Sequence, residues 1–237
     1  MIFQIHIVIK RITNAGKIIK IWHLKKEFDV CTINQNAFLK VKIKLSQDKI
    51  VDDLMIFAQV ARIDGSGGIL GQAGPCETTD EPKEYSRVGL MQFDLSDMQG
   101  MVDDGSIDAV ILHEMGHVIG IGTLWEDYNL IQRATGTRKN AYYLGEGGIQ
   151  GLKDIKGTGK PLVETDDGEG TAYGHWDEDT YENELMTRYA GGDEKFSLLT
   201  IESLQDMGFV VDKSQADPFE VPNGQSLRGE DETKQKK

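Results

Sequence analysis

The chain has 237 residues, 39% of them hydrophobic and 27% charged, with 27 Gly and 5 Pro; this suits one globular domain, or one domain in two lobes, and excludes a disordered chain. A net charge of −13 repels polyanions and gives no support to nucleic-acid binding, which needs a basic face. No stretch reaches the roughly 18 to 20 apolar residues that span a bilayer, so no transmembrane segment is expected.

At the start, Phe3, Ile5, Ile7 and Ile9 alternate with Gln4, His6, Val8 and Lys10, the period of a strand. The run lacks a basic segment ahead of it and a small-residue cleavage site behind it, so no signal peptide is recognisable. From Asn14, Ile18, Ile21, Trp22 and Phe28 recur at helical spacing and predict an amphipathic helix. Leu39, Val41, Ile43 and Leu45 alternate with Lys40, Lys42 and Lys44, a strand with a solvated lysine face. A more buried strand is expected over 54–60, a glycine-rich loop over 65–74 and another strand over 88–93. Asp104-Gly105-Ser106 sets up a largely apolar helix over 107–119, ended by Gly120 and Gly122. Residues 123–174 show no sustained periodicity and are expected to be mostly loop. The block 164–184 holds nine acids and no Lys or Arg, which reads as a solvated loop or as a field favouring cations. A last helix is expected over 197–207, capped by Ser197 or Thr200 and stopped by Gly208, followed by a disordered polar tail over 223–237.

Within the helix at 107–119, His113-Glu114-Met115-Gly116-His117 sets two imidazoles one turn apart on the same face, where both can grip one metal ion. The plainer alternative is a pair of core histidines satisfied by hydrogen bonds. A carboxylate between two histidines on a helix of Val, Ile, Leu and Met argues against it, because burying three ionisable groups without a ligand is costly. A catalytic zinc takes three protein ligands and leaves a fourth position for water. Of five histidines, His6 and His23 lie far upstream, so His175 in Gly174-His175-Trp176 is the downstream candidate. A carboxylate from Glu126 or Asp127 is the competing third ligand, a choice that leaves Gly174-His175-Trp176 and Glu184-Leu185-Met186-Thr187 without a role.

The segments IVDDLMIFAQ, GGILGQAGPC, GLMQFDLSDM, VILHEMGHVIGIGTLW, GHWDEDTYENELMT and LTIESLQDMGFVVD followed by ADPFEVP, in this order over roughly 51–222, resemble the leishmanolysin-like metallopeptidases of the metzincin clan. In that family an insertion separates the helix glycine from the third histidine, here 175 − 120 = 55 residues. The shorter spacing of other metzincins would place the ligand at Thr123. The resemblance implies an α+β, zincin-like fold in two lobes. The first, 1–120, would hold a twisted mixed sheet with a backing helix and the active-site helix; the second, 121–222, would be loop-rich with one helix. Together they would make a single catalytic domain, 1–222.

The resemblance further implies a zinc-dependent endopeptidase with one catalytic Zn2+ held by His113, His117 and His175. Glu114 would be its base, Gly120 the turn beneath the metal and Met186 the methionine of the Met-turn. Protein or peptide substrates, zymogen activation, an extracellular or cell-surface location and, in some members, a part in cell adhesion are implied as well. The metal would polarise the scissile carbonyl and acidify a bound water, Glu114 would shuttle the proton to the leaving amine, and acid would strip the metal from its neutral imidazoles. By analogy with related zincins, the strand at 88–93 is expected to be the sheet edge along which substrate lies. There are departures from the family. No pro-segment is evident, residues 1–50 match poorly in wording, and Arg188 stands where some metzincins carry a metal-assisting tyrosine, Tyr189 being one step too far. Cys31 could pair with Cys76 or cap zinc as a thiolate, and Asp166, Asp167, Asp177 and Asp179 are candidates for an unassigned Ca2+ site. The competing class is a zincin-fold adhesion or binding protein without peptidase activity; an intact Glu114 argues against it. Oligomeric state and substrate preference are not written in the sequence.

Overall fold

A computed structural model of the chain describes residues 2–5, 22–23, 50–51, 54–79, 84–135, 140–168, 170–191 and 193–222. The fold is α+β, in two compact units, Met1–Thr123 and Leu124–Lys237. No helix among the described residues is long and apolar enough to cross a membrane.

The first unit contains strands β1 (Ile2–Ile5), β2 (Trp22–His23), β3 (Ile50–Val51), β4 (Met55–Ala61), β5 (Gly71–Thr78) and β6 (Ser86–Asp94), then helices α1 (Met98–Asp104) and α2 (Ile107–Ile119). Four strands form a mixed sheet in the order β1-β4-β6-β5, with β4 and β6 parallel and the outer pairings antiparallel. The parallel pair lies inside the sheet, which is why β6 is buried along nearly its whole length and is mostly apolar over 88–93. Helix α2 covers the sheet closely: Val118 occupies the space where a side chain on Gly89 would project. Ile56, Ala58, Met91, Phe93, Met101 and Val110 complete that core.

Three expectations change here. The strand at 88–93 is not the sheet edge: β6 lies between β4 and β5, and among the described residues β5 ends the sheet. That edge strand begins inside the segment expected to be loop, at Gly71. Pairing with β6 supplies what glycine lacks in propensity, and the outside position tolerates Pro75 and the register shift beside it. The predicted helix from Asn14 does not include Trp22, because Trp22–His23 pairs with Ile50–Val51 in a short antiparallel ladder. The rest of that helix, the strand at 39–45 and the tail at 223–237 lie outside the described residues.

The second unit holds a three-stranded antiparallel sheet, β7 (Ile131–Gln132), β8 (Ala141–Tyr143) and β9 (Leu162–Val163). Its helices are α3 (Glu146–Asp154), α4 (Glu178–Tyr181) and α5 (Leu198–Asp206). The core is aromatic: Trp125, Tyr143, Trp176 and Tyr181 are all buried, and Trp125 packs on Trp176 with ring centroids 4.5 Å apart. Residues 123–174 therefore contain three strands and a helix where loop was expected. Helix α3 is hidden by its glycines, and packing makes it. A Cβ on Gly151 would lie 2.5 Å from the Leu198 carbonyl oxygen at the start of α5, so α3 and α5 approach backbone to backbone. The Asp206 carboxylate on α5 accepts the Gly147 and Gly148 N–H groups at 2.8 and 2.9 Å, satisfying donors that the first turn of α3 leaves open.

Candidate metal centre

Helix α2 runs over the expected residues because both ends are defined. The Asp104 carboxylate accepts the Ser106 N–H at 2.9 Å, and Asp108 complements the dipole in the first turn. At the other end Gly120 adopts φ 117°, the left-handed conformation that glycine tolerates, and the Ile121 N–H returns to the Gly116 carbonyl at 3.0 Å. That reversal brings the Ile121 carbonyl 2.9 Å from Nδ1 of His117. A carbonyl only accepts, so Nδ1 carries the proton and Nε2 keeps its lone pair, which is how a metal-ligating imidazole is oriented. The Nε2 atoms of His117 and His113 converge to 2.9 Å.

His175 is prepared in the same way. Its Nδ1 lies 2.9 Å from the Thr171 carbonyl, which again leaves Nε2 as the lone-pair nitrogen. The following Trp176 is anchored twice: its N–H donates to the Met186 carbonyl at 3.0 Å and its indole N–H to the Thr200 hydroxyl at 2.8 Å. Met186 is fully buried in a turn held by Glu184, whose carboxylate accepts the Met186 N–H at 2.7 Å and the Ser197 and Thr200 hydroxyls at 2.7 and 2.6 Å. Burial raises the Glu184 carboxyl above its ordinary range while these donors oppose the rise.

The ligand nitrogens of His113, His117 and His175 lie within 4.8 Å of one another, and among the described residues these three form the one such group of His, Cys, Asp and Glu side chains that could hold a metal ion. Glu126 and Asp127 do not belong to it; Glu126 is ion-paired with Arg133. Asp166, Asp167, Asp177 and Asp179 form no group of this kind either. Cys76 is disulfide-bonded, and Cys31 lies outside the described residues.

Glu114, between the two α2 histidines, is 4% exposed. Its Oε2 is buried with no hydrogen-bond partner among the described residues, and burial pushes its carboxyl up to about 8. Space for it comes from β5: a Cβ on Gly71 would lie 2.7 Å from Glu114 Oε1. Neither Gly71 nor Glu184 stands out in the sequence, one being a glycine among many and the other an acid within the acidic block.

No curated protein matches the chain. The model of the leishmanolysin family, peptidase family M8, matches residues 3–226. That family consists of metallopeptidases, hydrolases that act on proteins and use zinc. A match of this extent, over a helix with two converging imidazoles, means that the chain belongs to the leishmanolysin family of metallopeptidases.

Proposed function

We propose that this chain is a zinc-dependent endopeptidase, a single catalytic domain over 1–222, in which His113, His117 and His175 hold one zinc ion and Glu114 is the general base. The observation that carries the reading is the group of three imidazoles whose ligand nitrogens fall within 4.8 Å, two of them already oriented by backbone carbonyls. The donor set suits zinc: three neutral nitrogens make a catalytic site, and a fourth position stays open for water. Zinc, when bound, supplies a Lewis acid that polarises the scissile carbonyl and acidifies a water.

The protein supplies the rest. Glu114, next to a ligand on the same helix, has a buried carboxylate oxygen without a hydrogen-bond partner among the described residues and can take a proton from the attacking water, then return it to the leaving amine. Met186 serves as the methionine of the Met-turn and Gly120 as the turn that lets the Ile121 carbonyl orient His117. Members of the family are typically extracellular or displayed at the surface, and we extend that location to this chain.

The test is cleavage of an unfolded protein by the wild type and Glu114→Ala, with and without a chelator. The wild type should cleave, lose activity to the chelator and regain it with zinc. Glu114→Ala should keep its zinc and lose about 10²- to 10⁴-fold in rate. Equal rates in the two proteins would defeat the peptidase reading and leave the non-enzymatic adhesion or binding protein in its place.

A further inference from the structure

The segment that carries His175 has no long helix or strand to hold it, and it includes Asp167 at φ 62° and Tyr173 at φ 67°. Non-glycine residues persist in the left-handed region only where their surroundings fix them. Here the fixing residue is Glu164, which is 1% exposed. Its N–H donates to the His175 carbonyl at 2.9 Å and its carbonyl accepts the Tyr173 N–H at 2.8 Å. Its carboxylate accepts the Thr165 and Asp166 N–H groups, both at 2.8 Å, and the Glu178 N–H at 3.2 Å. The charge is answered by Arg188, with Nε 3.5 Å from Glu164 Oε2 and Nη1 2.8 Å from Asp167 Oδ2.

We propose that Arg188 is a positioning residue for the third metal ligand: its ion pairs with Glu164 and Asp167 hold the His175 backbone in place and so raise the affinity for zinc. The inference rests on the zinc reading given above. Arg188 is itself held, because it follows Met186, whose carbonyl accepts the N–H of Trp176 beside His175. These contacts, together with the chain from Met186 to Arg188, close a ring from His175 through Glu164, Arg188, Met186 and Trp176 back to His175. Without the guanidinium, the buried Glu164 carboxylate has lost its countercharge. The carboxylate then turns towards water, which slackens the N–H bonds that shape the segment. The guanidinium lies within ion-pair distance of both carboxylates, its Nε and Nη1 making no hydrogen bond among the described residues, whereas lysine offers a single point of charge.

The experiment measures the zinc dissociation constant by competition with a chromophoric chelator, together with the visible spectrum of the cobalt-substituted protein. The proteins are the wild type, Arg188→Met, Arg188→Lys and His175→Ala. Arg188→Met should bind zinc about 10- to 100-fold more weakly, as expected for loss of a residue that orients a ligand, with an altered cobalt spectrum; Arg188→Lys should recover part of both. Zinc affinity of Arg188→Met within twofold of the wild type, alongside a large loss in His175→Ala, would overturn the role of Arg188 and leave the zinc site standing. Undiminished affinity in His175→Ala would instead overturn the zinc site, and this inference with it. If Arg188→Met does not fold, Asp167→Asn, altered at a half-exposed carboxylate, carries the test. It should weaken zinc binding about two- to fivefold, and unchanged affinity there overturns the proposal.

Discussion

Glu114, the proposed base, shows how far a side chain can depend on a neighbour that has none. The carboxylate fits because Gly71 of β5 leaves space where a Cβ would lie 2.7 Å from Oε1 and 3.0 Å from the carboxyl carbon. Gly71→Ala must shift the buried Glu114 carboxylate away from the new methyl. A displacement of about 1 Å at a reacting group lowers turnover by roughly 10²-fold. We expect that loss in kcat for Gly71→Ala with zinc content unchanged; a variant of wild-type rate would show that Glu114 has slack. Asp94, at the end of β6, is fully buried and works differently. Its carboxylate accepts the N–H groups of Ser96, Ile63, Gly65 and Asp64. With the Ser96 bond foremost, these hold it well below the usual carboxylate range. A depressed folded-state pKa means stability that is present above the unfolded value of about 4 and lost as pH falls towards the folded one. Asp94→Asn should therefore be less stable than the wild type at pH 7 in urea unfolding, with a gap that narrows steadily below about pH 4. A gap independent of pH would mean that the ionised carboxylate contributes nothing specific.

At the scale of elements, what the sequence reveals depends on whether an element carries its own signals. Helix α2 runs over the expected residues because Ser106 and Gly120 bound a largely apolar run. Helix α5 is legible for similar reasons, with Ser197 before it and Gly208 after it. Helix α3 is not: in Glu146–Asp154, Gly147, Gly148 and Gly151 sit where helix propensity asks for other residues. Those glycines serve close packing, and local pattern cannot show it. Strand β5 hides in the same way, since its β character comes from pairing with β6 rather than from its side chains. The packing argument can be checked by Gly151→Ala. On propensity alone alanine should stabilise the helix by about 1 kcal/mol. Here its methyl would meet the Leu198 carbonyl oxygen at 2.5 Å and the Leu199 Cα at 2.8 Å, backbone atoms that cannot swing aside. Overpacking of this kind costs about 1 to 3 kcal/mol, so Gly151→Ala should lower the unfolding free energy. A stabilised variant would show that α3 and α5 have room between them.

For the molecule as a whole, a zinc ion held as proposed would couple the chemistry to the fold. The α2 histidines are legible because HExxH fixes them one turn apart, and His175 because few histidines compete for the third place. Their Nδ1 partners, the Ile121 and Thr171 carbonyls, are backbone groups placed by folding, and no sequence pattern shows them. That dependence has a thermodynamic consequence. An ion that needs three converging nitrogens binds the folded chain and has little hold on the unfolded one, so its binding free energy adds to stability. At a free zinc concentration a hundred times the dissociation constant the addition is about 2.7 kcal/mol, and each further tenfold adds about 1.4 kcal/mol. Removing zinc with a chelator should therefore lower the thermal midpoint, and titrating zinc back in a metal buffer should raise it in proportion to the logarithm of free zinc. In His175→Ala the slope should flatten, because two imidazoles on one helical turn hold the ion weakly. A wild-type midpoint that ignores zinc across this range would mean that the three nitrogens do not share an ion in solution.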